Sequence, residues 1–102
     1  MKFELTQSIL GDRDRLSPSE LATVRKVLPE FAAACDRIVA DPAAGWPAAL
    51  RVKPVEGAPG IFEMTFSFSG PDIRATFEWT EIDGARAVRW RRIGGHAIFR
   101  QP

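Results

Sequence analysis

Residues 61–102 read IFEMTFSFSGPDIRATFEWTEIDGARAVRWRRIGGHAIFRQP, and the alternation in this stretch decides the fold. Phe62, Met64, Phe66 and Phe68 fall on one side of an extended chain, leaving Glu63, Thr65 and Ser67 on the other. Ile73, Ala75, Phe77 and Trp79 repeat the pattern against Arg74, Thr76 and Glu78, and Val88 and Trp90 repeat it against Arg89 and Arg91. Period-two alternation marks strands with one buried face. Gly70-Pro71-Asp72 and Asp83-Gly84 are turn signals, the second a strong hairpin pair. The stretch is predicted as an antiparallel meander with strands over 61–69, 73–80 and 86–93. Its polar face gathers Glu63, Thr65, Arg74, Thr76, Arg89 and Arg91.

Upstream, the chain supplies a cover for the apolar face. Lys2 to Ile9 alternates and is predicted as a strand, broken by Gly11-Asp12-Arg13-Asp14. Ser17-Pro18-Ser19-Glu20 is a helix start: Ser17 as N-cap, Pro18 in the first turn, Glu20 closing a capping box. Leu21, Val24, Leu28, Phe31, Cys35 and Ile38 then recur at helical steps, an apolar stripe suited to packing on a sheet. Pro29 predicts either one kinked helix or two helices meeting at Leu28–Pro29. Asp41-Pro42 ends the run, and a loop carries Trp46. Leu50 to Val55 looks extended, with Pro54 placing it at an edge or in a connector, and Gly57 to Gly60 is a turn. The expectation is one α+β domain over 1–102: an N-terminal strand, helices, and a twisted antiparallel sheet of three to four further strands.

Bulk composition narrows the function classes. The chain has 102 residues, 45% hydrophobic and 26% charged, the balance of a globular domain. No apolar run is long enough to span a bilayer, and no secretory leader is visible, so the cytoplasm is the expected compartment. One cysteine and one histidine offer no disulfide and no zinc ligand set, and no cofactor is implied. Net charge is +1, but Arg86, Arg89, Arg91, Arg92 and Arg100 follow Gly84 with no acid among them. Arginine favours planar, bidentate contact with phosphate or carboxylate, which predicts an anionic partner. The plainer alternative is a solvated, charged edge strand.

The order of these elements resembles the RelE/ParE superfamily of bacterial toxins from toxin–antitoxin pairs. The resemblance rests on Leu50-Arg-Val-Lys-Pro54, on Gly57-Ala-Pro-Gly-Ile-Phe-Glu-Met64, on the arginine-bearing strand Asp72–Phe77, and on Arg91-Arg-Ile-Gly-Gly-His-Ala-Ile-Phe99. It implies a small toxin wrapped by a cognate antitoxin, typically a helix-turn-helix protein. RelE-like members cleave messenger RNA on the ribosome, whereas ParE-like members poison DNA gyrase. By position, Glu63 and Thr65 fall where RelE-like enzymes place lysines or a carboxylate, Arg74 on the phosphate-binding arginine, and His96 on a basic or histidine position. Phe99 stands where many active members carry tyrosine. The chain contains no tyrosine, and so lacks that stacking and acid/base group.

Metal-free RNA cleavage needs a base for the 2′-hydroxyl, a cation at the phosphorane and an acid for the leaving 5′-oxygen. The resemblance and this chemistry together nominate Glu63 as base, Arg74 and Arg91 as phosphate holders and His96 as acid. Arg51, Lys53, Thr65, Arg89, Arg92, Phe99 and Arg100 are the candidate RNA contacts, and Trp46 or Phe99 could stack on a base. Each has a plainer alternative: Glu63 as a cross-strand ion pair with Arg74, His96 as an incidental turn residue. The competing expectations are an endoribonuclease toxin acting on ribosome-bound message, a non-catalytic gyrase poison, and a protein-interaction domain docking an acidic segment.

Overall fold

In the computed structural model, which describes residues 1–66 and 72–102, the alternating stretch forms β3 (Phe62–Phe66), β4 (Ile73–Ile82) and β5 (Ala85–Gly94). These strands pair antiparallel in sequence order. Asp83 and Gly84 both have positive φ, 53° and 79°, the backbone of a two-residue hairpin whose twist matches that of its strands. Gly84 supplies there a conformation that a side chain would strain. The expected positions of Ser67, Phe68 and the Gly70-Pro71 turn lie outside the described residues.

Two further strands complete a five-stranded sheet of order β1-β5-β4-β3-β2. β2 (Lys53–Pro54) is a short antiparallel edge, the first of the two places, edge or connector, expected for Pro54. β1 (Phe3–Leu5) lies at the other edge and runs parallel to β5, so the sheet is mixed, with four antiparallel strands joined by one parallel strand. The parallel pairing follows from the helical crossover between β1 and the meander.

The N-terminal expectation needs correction. The strand predicted to reach Ile9 stops at Leu5, and Gln7–Arg13 is a helix, α1. Thr6 causes the change, because its hydroxyl accepts from the Ile9 N–H at 3.2 Å and caps the first turn. The same hydroxyl donates to the Arg91 carbonyl at 2.7 Å, which ties α1 to β5. Gly11 sits inside this helix rather than breaking it.

The second helix, α2, spans Pro18–Ala40 without a break at Pro29. The described residues therefore hold two α-helices, but their boundary lies near residue 14 and not at Leu28–Pro29. Ser17 accepts from the Glu20 N–H at 3.1 Å while Glu20 accepts from the Ser17 N–H at 2.8 Å, the capping box expected. Pro29 faces solvent, where a carbonyl that loses its N–H partner can be hydrated.

Phe31, Ala34 and Cys35 of α2 press onto Met64, Phe66, Ala75, Phe77, Val88 and Trp90 of the sheet. Phe31 has no exposure, and its ring lies 4.7 Å from Trp90 and 5.1 Å from Phe77. Trp46, partly buried, stacks on Phe31 at 5.5 Å and packs against the core. Its ring, the alternative to Phe99 as a base-stacking group, has one face taken by Phe31. No helix among the described residues is long and apolar enough to cross a membrane.

Candidate functional site

The opposite sheet face carries the polar residues of the alternation. Strand register sets Glu63 opposite Thr76 and Thr65 opposite Arg74. Glu63 and Arg74 are thus diagonal neighbours and not the direct cross-strand pair. The partner of Glu63 is instead Lys53 on β2, with Nζ 3.6 Å from Oε1. Arg51 reaches Asp72 at 3.1 Å. Arg51, Val52, Lys53, Glu63, Thr65 and Arg74 line a cleft of about 180 Å³.

This face is only partly open. Glu63 is 8% exposed, Thr65 5% and Thr76 0%, and Val55 and Ile98 are buried outside the main core cluster. Thr76 Oγ1 has no hydrogen-bond partner among the described residues. Arg74 is half-buried, and its guanidinium has no hydrogen bond or ion pair among the described residues.

The arginines of β5 are arranged differently from a free cationic strip. Arg89 donates to Glu78 at 3.0 Å and lies 3.5 Å from Glu4. Arg91 pairs with the other oxygen of Glu78, and its Nε donates to the Pro102 carbonyl at 2.9 Å. Arg92 grips Asp12 with Nε at 2.7 Å and a terminal nitrogen at 3.0 Å. Arg86 lies over the Trp79 ring at 4.2 Å. Arg100 is exposed, with no ion pair among the described residues.

Glu78, Glu4 and Asp12 are the residues that sequence reasoning did not assign. A signal for Glu78 existed: a two-residue turn at Asp83-Gly84 pairs each β4 residue with the β5 residue that places it opposite, and Glu78 meets Arg89. Asp12 had no such signal, because it is 80 residues from Arg92.

A β-bulge between Thr76 and Phe77 shifts the register, so that Phe77 faces Trp90 while Thr76 faces Arg92. Beyond it, Ile93 turns to the core and Gly94 comes opposite Arg74. The bulge separates Arg91 from the Arg74 row, and the consecutive charges Arg91-Arg92 are its trace in the sequence. Gly94 is followed by the 3-10 turn His96–Arg100. A Cβ at Gly94 would meet Ile98 Cγ2 at 3.2 Å, with φ at +158°, so the tight return of the chain requires glycine. His96 is exposed on this turn, with its ring edge-on to Phe99 at 5.3 Å.

Thus Glu63, Thr65, Arg74, Arg51 and Lys53 come together in one cleft. His96 and Phe99 form a second group beyond the strand end that faces Arg74, while Arg89, Arg91 and Arg92 are held by acids. Cys35 is no nucleophile: burial, reinforced by the charge of Asp36, pushes its thiol up to about 12. No cluster of metal-ligating side chains occurs among the described residues. Compared with protein-family models, curated proteins and solved structures, the chain gives no match.

Proposed function

We propose that the chain is a cytoplasmic toxin of the RelE/ParE kind that cleaves ribosome-bound messenger RNA without a metal and is held inactive by a cognate antitoxin. The observation that carries this reading is Arg74. Its guanidinium stands mid-sheet in a cleft with a buried carboxylate, and no acid among the described residues neutralises it. A phosphodiester supplies the planar bidentate acceptor that such an arginine lacks. Glu63 takes the 2′-hydroxyl proton as the oxygen attacks phosphorus, and the bond to the 5′-oxygen breaks. His96 delivers the proton that the leaving oxygen requires. Lys53 keeps a cation beside Glu63, and Thr65 lines the wall opposite Arg74. Arg100 steers the backbone, and Phe99 offers a ring for a base.

Purified protein added to a translation reaction tests the proposal. Cleavage of ribosome-bound message is expected, with Arg74→Ala and His96→Ala each slowing it by about 10²–10⁴-fold. No cleavage, or rates unchanged in both variants, overturns it.

Two observations favour a second, non-catalytic reading: the internal neutralisation of β5 and the absence of tyrosine. In this reading the fold acts as a gyrase poison or a protein-docking domain. An apolar groove of about 230 Å³ between α1 and α2, lined by Ile9, Leu10, Leu21, Val24 and Leu28 with Arg13 and Arg25, supports the docking of an acidic amphipathic segment in either case. Inhibited supercoiling with translation unaffected is the outcome that selects it.

A further inference from the structure

Past Trp90, β5 has no strand on its β1 side among the described residues, since β1 ends with Leu5 opposite Trp90. Its exposed backbone is satisfied by the start of α1 instead. Thr6 N–H donates to the Trp90 carbonyl at 3.1 Å, and Thr6 Oγ1 donates to the Arg91 carbonyl. The next free donor, the Ile93 N–H, is accepted by Asp12 Oδ2 at 3.1 Å. The same carboxylate takes the Arg92 fork, and Arg92 in turn donates to the Gln101 carbonyl at 3.2 Å. Asp12 is 5% exposed. One buried carboxylate on α1 therefore fixes the last residues of β5 and, through Arg92, the far end of the turn that carries His96 and Phe99.

We infer that Asp12 is a positioning residue, which holds the corner from Arg92 to Gln101 so that His96 stays fixed beyond the strand end where Gly94 faces Arg74. The inference rests on the cleavage reading for its kinetic consequence, but its structural consequence stands apart from it. Gly94 is the residue opposite Arg74, and His96 follows two positions later, so slack at Ile93 passes directly to the imidazole. A carboxylate serves here because it accepts from several donors at once, which an amide oxygen does not do equally.

His96 is the only histidine, so its ring Cε1–H gives one unambiguous correlation in a nuclear magnetic resonance spectrum. The Phe99 ring, edge-on at 5.3 Å, is expected to displace that signal. In Asp12→Asn the signal is expected to move towards the free-imidazole position and broaden, while circular dichroism stays native. With RNA, kcat is expected to fall on the order of tenfold to a hundredfold with KM unchanged, the cost of a misplacement of about 1 Å. A folded Asp12→Asn protein with an unchanged His96 signal overturns the inference. If native protein does not cleave RNA, the functional reading fails while the His96 signal still decides the positioning role. Should Asp12→Asn not fold, Arg92→Lys, which keeps the charge and removes the fork, is read in the same way. If both variants unfold, the contact serves the fold as a whole, and the inference is overturned.

Discussion

Asp12 shows how a single residue can act through opposed forces. Burial by itself raises its carboxyl, but the hydrogen bonds from Arg92 and the Ile93 N–H, with the charges of Arg92 and Arg15, outweigh it and hold the group below its ordinary value of 3.8. A carboxyl lowered by folding stabilises the native state above its unfolded value, and that contribution is lost as pH falls through the lower native value. Native protein is therefore expected to be more stable than Asp12→Asn by about 2 kcal/mol near neutral pH. The difference should shrink progressively below pH 3.8. Denaturant unfolding of both proteins across that range checks it, and a difference independent of pH would contradict the ionic origin. Phe31 and Cys35 were legible from the helical stripe because packing follows periodicity. Asp12 was not, because an ion pair between distant segments leaves no periodic trace.

At the level of elements, the meander strands and both ends of α2 were readable, and the boundary between the N-terminal strand and α1 was not. Asp83-Gly84 dictated a hairpin, and alternation placed every core residue of β4 from Ile73 to Phe77. Pure alternation failed after Trp90, where the bulge changes the phase and brings Ile93 inward. In α1 a local cap by Thr6 overrode an alternating pattern, and in α2 tertiary packing overrode a proline. That second override yields a prediction. Pro29 offers no N–H to the Arg25 carbonyl and sits on the solvent face, so Pro29→Ala restores a hydrogen bond without disturbing the buried stripe. A stabilisation of about 1–3 kcal/mol is expected from the helix-interior difference between the two residues. Thermal unfolding measures it. A neutral or destabilising result would show that Pro29 itself is needed to seat Phe31 against the sheet.

Across the whole molecule, the question is how many of the cations are available to a polyanion. The sequence offers seven candidates: Arg51, Lys53, Arg74, Arg89, Arg91, Arg92 and Arg100. Were each to contact one phosphate of a single strand, the logarithm of affinity would fall against that of salt with a slope of about −5, at about 0.7 per contact. The structure pairs Arg51 with Asp72, Lys53 with Glu63, Arg89 and Arg91 with Glu78, and Arg92 with Asp12. An arginine already matched by a carboxylate releases few counterions on meeting a phosphate. Arg74 and Arg100, without ion pairs among the described residues, then give a slope of about −1.4 by the same count. Single-stranded RNA titrated at several salt concentrations separates the two values. The comparison sharpens in Glu78→Gln, which leaves Arg89 and Arg91 without their shared counter-charge. Affinity is expected to rise at low salt, and the slope to steepen by about 0.7 for each arginine that turns to phosphate. If native protein already shows the steep slope, the internal pairs yield readily to RNA, and β5 works as an open basic strip. A shallow slope that Glu78→Gln steepens would confine recognition to the Arg74 cleft.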